Sequence, residues 1–167
     1  MPKPKTRKSK LAIKKTPRTQ RVAAKGSTSA GAPVSAAKPQ TLQELFKALE
    51  KVLALYSPPA KMWVEGSNTR PITRLTVPSP VVVKGAYGGK PVDLELATLI
   101  SQTDFVGFYL MPLYIRPALA RKIPKPLRKL LRGKTCFHMR AADEAMLENV
   151  RLAVDAGTQL YRDRGWL

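Results

Sequence analysis

The apolar positions of this chain change period several times, and each period predicts an element. From Thr41 the stretch TLQELFKALEKVLALY places Leu42, Leu45, Phe46, Leu49, Val52 and Leu53 at helical spacing. Thr41 and Glu44 have the spacing of a capping box, in which each side chain satisfies a backbone N–H of the first turn. Ser57, Pro58 and Pro59 end the pattern, because proline lacks the N–H a continuing helix needs. The expected role is an amphipathic helix packed on a core.

The middle of the chain reads as strands. KMWVEGS is a short one. ITRLTVPSPVVVKG is rich in β-branched residues, but its two prolines predict a bent or edge strand. Gly88-Gly89 in AYGGKP predicts a tight turn. VDLELATLIS alternates, which places Val92, Leu94, Leu96 and Ile100 on one face and Asp93 and Glu95 on the other. After a turn at Gln102, Thr103 and Asp104, the apolar run FVGFYLMPLYI suits a central strand. RPALARKIPKPLRKLLRGK reads as two short helical pieces broken by Pro124 and Pro126, followed by a last strand, TCFHM.

Asp143 opens a final helix with an apolar stripe of Met146, Leu147, Val150, Ala153, Val154, Gly157, Leu160 and Tyr161. Arg162 and Arg164 suit its C-terminal dipole, and Gly165 is a C-cap candidate. Short connections between strands favour antiparallel pairing. The expected fold class is α+β, a mainly antiparallel sheet packed by N- and C-terminal helices and preceded by a disordered basic tail.

Composition explains the tail. Residues 1–40 hold eleven Lys and Arg, no Asp or Glu, and no aromatic residue. A segment of that kind repels itself and buries too little apolar surface to offset its ordering entropy. The expected organisation is a disordered Lys/Arg-rich tail over 1–40 and an α+β domain over 41–167. The tail's AAKP and KTPR pieces are similar in composition to linker-histone tails.

Charge then narrows the partners. Thirty Lys and Arg stand against eleven Asp and Glu, a formal net charge of +19. Such a balance favours nucleic acid or another polyanion. Residues 41–167 keep nineteen basic and eleven acidic residues. Within them, the segment 116–134 carries Arg116, Arg121, Lys122, Lys125, Arg128, Lys129, Arg132 and Lys134 without one acid. Leu127, Leu130 and Leu131 would anchor a short helix there, leaving Arg128, Lys129 and Arg132 toward water. Such a run is either a solvated face or an anion-binding patch that works with the tail. The residues assigned to phosphate contact are Lys3, Lys5, Arg7, Lys8, Lys10, Lys14, Lys15, Arg18 and Arg21 in the tail, with Arg128, Lys129 and Arg132 in the domain. Because the tail has no aromatics on which bases could stack, backbone phosphate contact is the expected mode.

A single cysteine, Cys136, excludes an internal disulfide. No apolar run approaches the roughly 20 residues of a spanning helix. A cytoplasmic protein is expected, with association to the nucleoid as one option. An organelle transit peptide is the alternative for the acid-free, Ser/Thr-containing N-terminus, but lysines outnumber arginines there and prolines would interrupt an amphipathic helix.

Catalytic and metal chemistry find little support. Cys136 and His138, the sole cysteine and histidine, share a face of a strand but lie roughly 6.5 to 7 Å apart along it. That is far for a nucleophile–base pair, and no third or fourth zinc ligand is spaced to join them. Nearby Arg132, Lys134 and Arg140 would lower the thiol pKa. Even so, the reading is structural. Asp93/Glu95 and Asp143/Glu144/Glu148 are the acidic clusters, read as surface charge rather than metal ligands. GKT at 133–135 lacks the upstream glycine and the strand–loop–helix order of a P-loop.

VGFYLMPLYIRP, LLRGKTCFHMRAADE and GTQLYRDRGW together resemble the YdhG-like family, a bacterial domain of unknown function. The resemblance spans residues 41–167, is strongest over the last sixty and weak between 61 and 90. It implies a small α+β domain. Some members are described as frataxin-like iron-handling proteins, so the resemblance also implies an alternative, an intracellular iron or metal carrier. The reading adopted is a non-enzymatic YdhG-like binding domain without cofactor or metal, whose cationic tail gives sequence-independent nucleic-acid binding.

Overall fold

The computed structural model describes residues 41–167. The expected disorder of residues 1–40 lies outside the described residues. The first helix, α1, spans Leu42–Ala54 and opens on the predicted capping box. Thr41 N donates to Glu44 Oε2 at 2.8 Å, and Glu44 N donates to Thr41 Oγ1 at 3.2 Å. Leu45, Phe46, Leu49 and Leu53 are its buried residues.

The strands are β1 (Lys61–Ser67), β2 (Arg70–Thr76), β3 (Val81–Val82), β4 (Pro91–Val92), β5 (Glu95–Ser101), β6 (Val106–Leu110), β7 (Leu131–Arg132) and β8 (Cys136–Met139). Six of them form one sheet, ordered β1-β2-β5-β6-β8-β7, and every neighbouring pair is antiparallel. β3 and β4 make a separate antiparallel ribbon. The prolines Pro78 and Pro80 separate β2 from β3, so the long β-branched stretch is two strands with a bend, and Gly88-Gly89 lies in the turn that follows. Short helices α2 (Pro112–Ile115) and α3 (Lys125–Arg128) and a 3-10 turn (Pro117–Lys122) connect β6 to β7.

The last helix, α4, spans Glu144–Arg162, and the Asp143 carboxylate accepts from Met146 N at 2.8 Å. Its end is a Schellman motif. Gly165 takes φ 68°, its N–H donates to Arg162 O, and Trp166 N donates to Tyr161 O. The accompanying apolar contact is edge-on packing of Tyr161 and Trp166, with ring centroids 5.3 Å apart.

Both long helices cover one face of the sheet. The row Thr73, Leu99, Phe108 and Phe137 is fully buried, and Thr73 donates to Glu50 of α1 at 2.6 Å. Leu75, Ala97 and Leu110 form a second buried row, and Leu110 reaches Gly157 of α4. The opposite face holds the row Trp63, Arg74, Thr98, Tyr109, Cys136 and Arg132, whose ends are exposed.

Two expectations need correction. The apolar run 105–115 is not one strand, because β6 stops at Leu110 and Pro112 opens α2. Proline has no N–H for a ladder, and its φ suits a helix start. Residues 92–101 do not keep one alternation either. Leu75 pairs with Ala97 and the next residue, Thr76, pairs with Glu95, so Leu96 is a bulge residue. A bulge shifts the phase of the pleat. Ala97 and Leu99 then lie on the helix-covered face, while Ile100 shares the opposite row with Ile72 and Gly107.

Candidate nucleic-acid interface

Segment 116–134 is held down by apolar pegs. Leu119, Ile123 and Leu127 recur every fourth residue and are buried, and Leu130 and Leu131 pack partly against the same core. The residues between them are therefore turned outward. Arg116, Arg121, Lys122, Lys125, Arg128, Lys129, Arg132 and Lys134 are all exposed. The expected short helix over Leu127–Leu131 is only partly present. Arg128 ends α3, whereas Leu131 and Arg132 form β7 and pair with β8.

The charge of this surface is mainly positive, although Asp163 of the α4 end shares a cleft with Arg116, Arg121 and Lys122. Among the described residues the ion pairs belong to Arg74, Arg140 and Arg151, and none of the eight cations of the segment enters one. The guanidinium of Arg128 donates to Ala120 O at 3.4 Å. That of Arg132 donates to Lys129 O and Leu131 O, each at 3.1 Å. These carbonyls position the charges without neutralising them. The assigned residues Arg128, Lys129 and Arg132 thus share one exposed stretch. Lys3, Lys5, Arg7, Lys8, Lys10, Lys14, Lys15, Arg18 and Arg21 lie outside the described residues.

Beside the segment is a cleft of about 680 Å³. Its walls come from the turn after β3, from α2 and from the turn between β7 and β8, and they include Lys84, Tyr87, Tyr114 and Lys134. No Asp or Glu lines it. The sequence reading passed over Lys84, Tyr87 and Tyr114. Two signals were available, a tyrosine placed against Gly88-Gly89 and another just after the strand-ending Pro112.

Cys136 and His138 do share a face of β8, as expected, but their partners differ. His138 stacks on Phe105, with ring centroids 3.9 Å apart and planes 15° apart. Cys136 sits opposite Tyr109, whose ring leans over Gly107. Burial pushes the Cys136 thiol up, against a smaller opposite effect of its hydrogen bond with the Tyr109 hydroxyl. The nearby cations do not reverse that direction, so the site favours the neutral thiol over the nucleophilic thiolate.

Of the two acidic clusters, Glu95, Asp143 and Glu148 are engaged with protein partners. Glu95 accepts from Thr98 and pairs with Arg74, Asp143 caps α4, and Glu148 receives two hydrogen bonds from Arg151. Among the described residues no three His, Cys, Asp or Glu side chains converge as metal ligands would. Among them, too, no helix is long and apolar enough to cross a membrane. Comparison with models of known protein families, with curated proteins and with solved structures finds no match.

Proposed function

We propose that this protein binds nucleic acid without reading its sequence, as a non-enzymatic YdhG-like domain that contacts phosphates through segment 116–134 and through the cations of residues 1–40. One observation carries the reading. Eight exposed cations lie within residues 116–134, and among the described residues none of them has a carboxylate ion-pair partner. An already paired arginine must give up its partner to meet a phosphate. An unpaired one exchanges only water, and the phosphate sheds its counterion in return. Segment 1–40 adds eleven cations and no acid.

Counterion release makes the reading measurable. The logarithm of the binding constant for duplex DNA falls with log salt, by about 0.9 per phosphate contacted. If half the cations of residues 1–40 engage, they contribute roughly −5 to that slope, and the domain's cations add to it. Random-sequence duplex is titrated from low to physiological salt. Removing residues 1–40 flattens the slope. Replacing Arg128, Lys129 and Arg132 together by Gln flattens it by up to about 3 more. Slopes unchanged by both alterations would refute the reading. So would strong preference for one duplex sequence, because phosphate contacts position a protein without reading bases.

A further inference from the structure

The cleft beside segment 116–134 combines two chemistries that phosphate contact alone does not need. Tyr87 and Tyr114 line it with 42% and 52% of their surface exposed. Among the described residues Trp63, 50% exposed on β1, is the other large ring that stands this far into solvent. Lys84 and Lys134 line it from different walls, both exposed, and the Lys134 ammonium lies over one face of the Tyr114 ring, 5.4 Å from its centroid. The floor is apolar, with Val83 and Leu113 buried. An aromatic ring next to an ammonium over an apolar floor complements a ligand that is flat and anionic at once. A nucleotide has both properties, because its base has a π-face and its phosphate a charge.

Tyr87 adds a backbone observation. Its φ is 53°, in the left-handed region that bulky side chains rarely adopt and glycine adopts freely. A large ring is thus held in the cleft at a backbone position better suited to glycine. Backbone strain of this sort gathers at ligand sites.

We infer that the cleft binds one unpaired nucleotide of a single strand, its base against Tyr114 and Tyr87 and its phosphate between Lys84 and Lys134. This rests on the nucleic-acid reading above and adds to it a preference among nucleic acids. A duplex hides its base faces in the stack, so it can use the cationic surface but not the cleft. A strand is the expected source rather than a free nucleotide, because Lys134 is the last cation of segment 116–134. Phosphates flanking the bound nucleotide then meet the unpaired charges next to it.

The test uses the full chain with three probes, a mixed-sequence single-stranded 12-mer, the duplex of that sequence, and adenosine 5′-monophosphate. Tyr114→Ala should weaken the single strand by roughly 5- to 150-fold, the range of one lost base stack. Duplex binding should stay within about twofold, since the surface charge is untouched. Tyr114→Phe should retain the strand affinity, because the ring is what stacks, and Tyr87→Gly should reduce it. Equal losses for strand and duplex, or no loss for either, would overturn the site. A monophosphate that binds as tightly as the strand would overturn the assignment to a strand. The salt slope for duplex tests the broader reading separately, so either can fail alone.

Discussion

At the scale of single residues, packing reverses one ordinary preference. Gly157 lies inside α4, where alanine in place of glycine normally gains about 1 kcal/mol. A Cβ there would sit 2.8 Å from Pro112 Cγ and 3.4 Å from both Leu110 Cδ1 and Leu96 Cδ1. The Pro112 ring is closed onto its own backbone and can shift Cγ only by a change of ring pucker, a smaller movement than the rotation open to a flexible side chain. Overpacking costs about 1–3 kcal/mol, which outweighs the helix gain. Gly157→Ala is therefore expected to lower the urea midpoint, and a raised midpoint would contradict the close α2–α4 contact. Tyr56 makes a second residue-scale case. Its single hydroxyl proton is shared between Asp155 Oδ1 at 2.7 Å and Arg151 O at 2.9 Å. Burial, then the bond to Asp155, pushes its pKa far above the usual tyrosine range. The unfolded chain releases this proton above about pH 10, while the folded chain keeps it. The unfolded state then binds fewer protons, so the contribution of Tyr56 is full below about pH 10 and shrinks as pH rises further. Tyr56→Phe should be the less stable protein at pH 8, and the gap should narrow by pH 11. A gap that widens with pH would refute the assignment.

At the scale of elements, local chemistry made the two long helices legible. Thr41 with Glu44, Asp143 and Gly165 are each within a few residues of the helix end they define, and all perform the expected capping, with Trp166 joining Gly165. Asp143→Ala should cost about 1 kcal/mol, read from chemical denaturation, whereas Asp143→Asn should cost a few tenths at most. A large loss with Asn would mean that the charge of Asp143, not its hydrogen bond to Met146, stabilises α4. The strands were less legible in detail. The end of β6 was signalled by Pro112, but the apolar run around it has no period of its own. The phase of β5 depends on Leu96 being a bulge, which only pairing with β2 reveals. The sequence placed the anchors of segment 116–134 at Leu127, Leu130 and Leu131, whereas the buried ones are Leu119, Ile123 and Leu127, whose spacing explains why the segment turns its charges outward.

At the scale of the molecule, repulsion competes with pairing. Residues 41–167 carry nineteen cations and eleven anions, and eight of the cations lie between 116 and 134. The ion pairs present are on the surface, where each is worth about 0–1 kcal/mol. Salt weakens both effects, since the Debye length falls from about 30 Å at 0.01 M to about 8 Å at 0.15 M. Repulsion acts over the longer range and involves more charges, so its screening should dominate. The thermal midpoint of the full chain is expected to rise between 0.01 M and 0.15 M NaCl. A fall would mean that the Arg74, Arg140 and Arg151 pairs outweigh the repulsion within the basic segment.

The sequence by itself determined the α+β class, the two capped helices, the antiparallel habit of the strands and the acid-free cationic segment. These follow from period, cap chemistry and charge, all of which act between residues close in the chain. Tertiary structure alone decided that both long helices cover the same sheet face, and that Leu96 shifts the phase of β5. It also decided that His138 stacks on Phe105, and that Tyr87, Tyr114, Lys84 and Lys134 share one cleft. The residues in each of these groups are brought together by strand pairing and chain reversal. Their proximity is set by register and packing, which no local pattern encodes.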